Sequence, residues 1–470
     1  MTDGATVASG AALAGAGIVD ETAEDTGVDA GVNTTDPAAG DRWGRYGRRP
    51  LTLLALVALI DAVDRGILPG VLEKVQHDLG FSDARAGLLG TAFVLAGLLC
   101  TLPSGYLADR RPRTRIIAIC LVSWGAISAL NGLVVSYSQF LGVRAALGMG
   151  EAFNGPAAQS LTADFYPPAI RGRAYAIRGI APIAGAALGT GLGGLVGALF
   201  GWRWAFVIVG IPGSALALAM WRLQEPKRGE HDAAPAPSVP DNVGATRKGF
   251  GGLRADVGRA WQVRSLRSLM VGTAISAGAT AGLGFWAPTF YERHTSLSAG
   301  QAAGLTGGLI LTGALAGAWL GGILSDRFRN RFEGAPMLVA GVAQVLGGLL
   351  LMSTFPDVPL WYRLPGQAVA VALIVGGFPA LSTMIAEVVP GAIRGTAFSL
   401  TSVLSSAAAA ASPLVIGVIA DQFPFLAHGE LKGNLARAFL LVSPLISVGG
   451  LVVLQGRRHV ATDLARLASS

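Results

Sequence analysis

Five ionisable residues sit inside two apolar stretches of this 470-residue chain: Asp61, Asp64 and Arg65 in one, Arg144 and Glu151 in the other. A charge in such a run is costly unless it pairs or faces a wet cavity, so these residues mark the first candidate site. Asp61 and Arg65 stand four apart and can pair along one helix. Arg144 and Glu151 stand seven apart and share a helical face. With a rise of about 1.5 Å per residue, Asp64 and Arg65 fall about 20 Å into the first run, near the level of Arg144. Three carboxylates against two guanidiniums leave a net charge of −1 if all are ionised, and one proton makes the cluster neutral. That is the opening for proton coupling at Asp64, Glu151 and Asp61. Arg65 and Arg144 have the geometry to grip an oxyanion and stay charged when buried.

The elements that must position these groups are membrane helices. Charged residues make up 14% of the chain and hydrophobic ones 52%, with 66 glycines; an ordinary soluble domain is about 25% charged. A helix needs about 20 apolar residues to cross the hydrocarbon. Twelve runs qualify, near 51–72, 87–108, 115–136, 139–163, 174–200, 204–221, 268–291, 300–324, 336–354, 364–389, 396–420 and 435–455. The fold class is therefore all-α, with twelve transmembrane helices in two six-helix bundles. The expected divisions are a disordered tail (1–48), a first bundle (49–221), a Pro-containing linker (222–267), a second bundle (268–456) and a short tail (457–470). Arg45, Arg48, Arg110, Arg111, Arg113, Arg171, Arg173, the linker's Arg and Lys residues, Arg327, Arg329 and Arg457 all fall on one side of a twelve-span arrangement. Both termini are expected to be cytoplasmic. The Ala/Gly/Arg-rich style suggests a bacterial chain in the cytoplasmic (inner) membrane.

The two halves repeat each other. GYLADRRPRTR (Gly105–Arg115) has a counterpart in GILSDRFRNR (Gly322–Arg331). PAAQSLTADFYPPAIRGRA (Pro156–Ala174) matches PALSTMIAEVVPGAIRGTA (Pro379–Ala397). Both matches lie about 220 positions apart, as parallel repeats of a carrier would. In the fifth run, Gly185, Gly189, Gly193 and Gly197 form a smooth strip suited to close helix packing.

The Gly105–Arg115 stretch resembles the signature loop between spans 2 and 3 of the major facilitator superfamily, with a degenerate copy after span 8. That resemblance implies alternating access around a central cavity lined by spans 1 and 4. It also implies a charge latch at one end, formed by Asp109, Arg110, Arg113 and Arg171 in the first half and Asp326, Arg327 and Arg394 in the second. Within the superfamily, IDAVDRGILPGVL, LGFSDARAGLLGTAF, VRAALGMGEAFNGPA, RGIAPIAGAALGTGLGG and GWRWAFVIVGIPG are similar to the Spinster group. The anion–cation symporters share the Asp-Arg of span 1 and the Arg…Gly-x-Glu-Ala of span 4. The Spinster group is associated with lysophospholipids and other single-chain lipids. The resemblance thus implies a lysophospholipid or other amphipathic anion as partner, with Phe285 and Trp286 along its path. The alternatives are a small organic-anion symporter and a multidrug exporter.

Several classes are disfavoured. The net charge of +7 is spread in short clusters, with no stripe for nucleic acid. The histidines (His77, His231, His294, His428, His459) are scattered, and no Ser/His/Asp or metal-ligand grouping marks an enzyme. Cys100 and Cys120 read as small buried hydrophobes. No cofactor beyond the coupling proton is expected, and the functional unit is expected to be a monomer.

Overall fold

The computed structural model describes residues 43, 45–228, 230, 250–329, 334–390, 393–427 and 429–469. The expected tail over 1–48 lies largely outside them. The expected linker over 222–267 is described at 222–228, 230 and 250–267, and its second part is helical at Phe250–Gln262 and from Arg264 onward rather than a plain connection. Sixteen α-helices occur among the described residues. The first half holds α1 (Arg49–Leu79), α2 (Asp83–Arg110), α3 (Arg113–Asn131), α4 (Tyr137–Glu151), α5 (Asn154–Phe165), α6 (Pro168–Leu199) and α7 (Trp202–Trp221). The second holds α8 (Phe250–Gln262), α9 (Arg264–His294), α10 (Ala299–Arg329), α11 (Ala335–Ser353), α12 (Leu360–Val388), α13 (Arg394–Asp421), α14 (Leu435–Val442), α15 (Pro444–Gly456) and α16 (Val460–Ser469).

Ten stretches of the described residues are long and apolar enough to cross a membrane. The two expected spans missing from that set are the two that carry the charge cluster. α1 fails because Asp61, Asp64 and Arg65 fall in its middle. The fourth span is split into α4 and α5. Pro156 follows that break, and its ring forbids the hydrogen bond to Ala152 that a continuous helix would need. Pro444 divides α14 from α15 in the same way.

The all-α expectation needs one amendment. Between α13 and α14 lies a hairpin of β1 (Pro424–Ala427) and β2 (Glu430–Gly433), paired antiparallel with Leu426 opposite Leu431. Gly429 sits at φ 87°, a conformation the tight connection requires and only glycine takes cheaply. The last residues are also ordered as a helix: Asp463 in α16 accepts from the backbone N–H and the hydroxyl of Ser265, at 2.8 and 2.7 Å.

The glycine strip of α6 lies against α1. A Cβ at Gly189 would meet the Val63 carbonyl oxygen at 2.0 Å, and one at Gly185 would meet that of Leu59 at 2.3 Å. The two backbones are in direct contact, so α1 and α6 pack as one unit.

Apolar packing divides by end. One buried cluster joins both halves, from Val63, Ile67 and Leu68 to Leu283, Trp286 and Phe439. At the arginine-rich end, where Arg110, Arg171 and Arg327 lie, each half has its own cluster. Helix contacts agree. Away from the arginine-rich end, a Cβ at Gly87 of α2 would meet the Pro413 carbonyl of α13 at 2.2 Å, and one at Gly307 of α10 would meet the Ala187 carbonyl of α6 at 2.4 Å. Toward the arginine-rich end, the same four helices carry Gly105, Gly172, Gly179, Gly322 and Gly395, none with a described atom within 4 Å of an added Cβ. The halves are sealed at the far end and parted at the arginine-rich end.

Candidate functional site

Arg65 is the hub of the charge cluster. Its Nη2 donates to Asp61 Oδ2 at 2.6 Å, the pair expected one turn apart, and its Nε donates to Glu151 Oε2 at 2.7 Å. The side chain is 48% exposed, toward the space between the halves. Both neighbouring carboxylates therefore hold Arg65.

Asp64 points elsewhere. It is fully buried, accepts from the Ser128 hydroxyl, and accepts from Trp124 Nε1 at 3.3 Å. Adjacent residues project about 100° apart around a helix, so Asp64 faces α3 while Arg65 faces the central space. Arg144 is the nearby positive charge.

Arg144 is 2% exposed and packs over the Phe93 ring at 5.3 Å; Arg65 lies over the same ring at 5.8 Å. Nε and Nη1 of Arg144 have no hydrogen-bond partner among the described residues, and neither has Glu151 Oε1. Buried polar atoms are nearly always paired. Two bare guanidinium donors and a bare carboxylate oxygen around one ring form an unfinished site.

The expected path aromatics diverge. Phe285 is partly buried and reaches α2, with its Cε2 3.0 Å from where a Gly90 Cβ would be. Trp286 does not line the central space: it is fully buried, with Nε1 donating to the Pro413 carbonyl at 2.9 Å and tying α9 to α13. An apolar cavity of about 280 Å³ lies in the second half among Leu283, Phe290, Tyr291, Ile310, Val371 and Phe439.

At the arginine-rich end, the side chains of Asp109 and Asp326 lie outside the described residues, and so does the expected latch through them. Arg327 and Arg394 are exposed. Arg110 is exposed and folds onto Tyr106. Arg171 Nε donates to the Tyr166 carbonyl at 3.2 Å, within the first half. Arg113 is buried and also works within the first half: it pairs with Asp164, reaches Ser160 at 2.7 Å, and binds Glu225 at 2.8 Å. It binds α3 to α5 and to the segment after α7 rather than bridging the halves. Among the described residues, no group of three or more His, Cys, Asp or Glu could hold a metal ion.

A second network went unforeseen. At the sealed end, Arg293 of α9 donates to Glu73 at 2.7 Å, to both oxygens of Asp83 at 2.8 and 2.9 Å, to Gln76 at 3.1 Å, and to the Gly433 carbonyl at 3.2 Å. Lys432 of β2 reaches Glu73 at 3.3 Å. Asp421 caps α2 from the other half, accepting from the N–H groups of Asp83 and Ala84 at 3.1 and 2.9 Å. The one sequence signal was an arginine at a predicted span end that is otherwise poor in basic residues.

Comparison with known proteins fits this architecture. The family model described as Major Facilitator Superfamily matches residues 54–413. Protein spinster of Drosophila melanogaster is 26% identical over 385 residues, covering 79% of this chain. The chain spans 61% of that protein's length. An MFS-type efflux pump of Mycolicibacterium smegmatis is 28% identical over 429 residues, covering 88% of this chain and 94% of the pump. Among solved structures, a bacterial homolog of the human lysosomal transporter Spinster, in an inward-facing and unoccupied conformation, superposes with a TM-score of 0.78. It is 24% identical and covers 89% of this chain and 99% of its own. With the family model covering most of the helical region, and with helices, repeats and sealed and parted ends all in place, this chain belongs to the major facilitator superfamily of multi-pass membrane transporters.

Proposed function

We propose that the chain is a proton-coupled carrier for a single-chain lipid anion such as a lysophospholipid. The setting is the bacterial cytoplasmic membrane, with both termini cytoplasmic and the monomer as the working unit. The observation that carries the reading is Arg144, buried beside Phe93 with two donors unpartnered. A buried guanidinium with spare donors fits the oxyanion of a head group. The apolar cavity of the second half offers a place for the acyl chain. The resemblance to Spinster proteins supports the lipid class.

The coupling follows from charge balance. Arg65 is already satisfied by Asp61 and Glu151. An anion arriving at Arg144 adds negative charge to a cluster that already holds three carboxylates. A proton on Glu151 Oε1, the oxygen without a partner, relieves that charge and provides an O–H donor toward the substrate. Asp64 is a second acceptor, held by Ser128 and Trp124.

The test is reconstitution into liposomes with labelled lysophospholipid and small organic anions, with and without a pH gradient. Wild type should move the lysolipid faster with the gradient, and Glu151→Gln and Asp64→Asn should abolish that response. Full gradient-driven uptake in both variants would sink the coupling. Failure to move any lysolipid would remove the substrate reading. A broader export function, suggested by the similarity to the mycobacterial pump across nearly its whole length, would appear as transport of unrelated amphipaths in the same vesicles.

A further inference from the structure

Arg178 lies in α6, inside a segment apolar enough to span the membrane, and about 12 Å from that segment's start. Its Nε is buried without a hydrogen-bond partner, and among the described residues the side chain makes no hydrogen bond or ion pair. The nearest negative charge is that of Asp61, and the neutral Tyr175 hydroxyl lies close by. An unpaired guanidinium at this depth needs a reason.

Its position supplies one. Arg171, Tyr175 and Arg178 follow at spacings of four and three, so they share one face of α6. Seven residues further along that face, Gly185 packs on Leu59 and Ala62 of α1, beside Asp61. Arg178 therefore stands about 10 Å nearer the arginine-rich end than that contact. Gly172 and Gly179 flank it with no described atom within 4 Å of an added Cβ. From the parted end inward the order is Arg178, then Asp61, then Arg65, Glu151 and Arg144 around Phe93.

We propose that Arg178, with the Tyr175 ring beside it, is a capture station for the anionic head group, occupied before the head group reaches Arg144. The inference rests on the lipid-anion reading and deepens it. Arg178 meets the anion before Arg65 and Arg144 because it lies nearer the opening than they do. Among the described residues its guanidinium is unpaired, whereas Arg171 nearer the end is held by the Tyr166 carbonyl. Arg65 lies deeper than Arg178, and two carboxylates already offset its charge. The negative charge of Asp61 behind Arg178 limits how tightly the anion is held, which lets it move on.

Two experiments test this. Wild type, Arg178→Gln and Arg178→Lys are reconstituted, and uptake of labelled lysophosphatidylglycerol is followed against its concentration. The Gln variant should raise the half-saturating concentration about tenfold, the effect of one lost charge-assisted hydrogen bond. The Lys variant should recover most of that loss, and the maximal rate should hold. A Gln variant that saturates like wild type overturns the proposal while leaving the carrier intact. Separately, Arg178→Cys in a Cys100→Ser, Cys120→Ser background is exposed to an anionic thiol reagent from the arginine-rich side. Reaction that lysophosphatidylglycerol slows supports the station; no reaction, or no slowing, overturns it. That second readout does not require transport, so a wild type that moves no lysolipid would fail the functional reading without deciding this one.

Discussion

Replacing Arg293 by Gln should release the seal at the far end. The guanidinium is 2% exposed and makes five hydrogen bonds, three of them to the first half's carboxylates Glu73 and Asp83. The Asp83 side chain is 3% exposed, so loss of Arg293 strands a buried carboxylate. Removing one partner of such a pair costs about 3–5 kcal/mol in the state that buries it. In the opposite state, where the halves part at this end, Arg293 and Asp83 are in water and the substitution costs little. The difference falls on the equilibrium between states, and about 3 kcal/mol corresponds to about a 150-fold shift. The assay is a spin-label distance between Arg85→Cys and Gln422→Cys in a Cys100→Ser, Cys120→Ser background. These positions flank the Asp421 cap on α2. Arg293→Gln should move the distance distribution to a longer component, and Arg293→Lys should fall between, because Lys keeps the charge but not the planar fork. A Gln variant with the wild-type distribution would refute the idea that this network holds the seal.

Gly189→Val should lower the melting temperature in detergent sharply, because a Cβ there meets the Val63 carbonyl at 2.0 Å; Gly179→Ala, with open space around it, should leave melting unchanged. Ser128→Ala should remove the hydroxyl donor from buried Asp64 and destabilise the first half by about 1–3 kcal/mol, read as a fall in thermal stability that Asp64→Asn lessens. Burial pushes the Glu225 carboxyl up, but the N–H groups of Thr114 and Arg113 and the Arg113 guanidinium hold it below its ordinary value of 4.5. Its contribution is therefore complete above pH 4.5 and is lost as pH falls through the depressed value. Glu225→Ala should lower the melting temperature at pH 7 and flatten the acid limb of its pH profile; an unchanged acid limb would contradict that assignment.

The parts legible in the sequence were those set by local periodicity. Asp61 and Arg65, four apart, pair as a helix requires, and the α6 glycines meet α1 because their spacing keeps them on one face. Partner choice across helices was not legible. Depth along each span placed Arg65 and Arg144 at one level, but rotation about the axis decided the rest, turning Arg65 to Glu151 and Asp64 to Ser128 and Trp124. Trp286 illustrates the same limit. On a helix apolar all round, no moment tells a buried aromatic from one lining a cavity. Arg293 draws its partners from α1, α2 and the hairpin, roughly 140 to 220 residues away in either direction, so no window of sequence contains them.

One helix links the two ends of the molecule. α1 carries Asp61, Asp64 and Arg65 at the central cluster and Glu73 in the Arg293 network, eight residues and about 12 Å beyond Arg65. It touches α6 backbone to backbone, and α6 carries Arg178. In the proposed carrier, an anion at Arg178 or Arg144 acts on the same packed pair whose far end holds the seal. The halves need no separate signal between site and gate. Whatever tilts α1 to improve its contact with the anion also pulls Glu73 relative to Arg293, and that network offers two discrete arrangements: paired and buried, or apart and hydrated. In the carrier proposed above, proton and substrate bias that choice from the centre, and Arg293 and Asp83 set its starting point from the end.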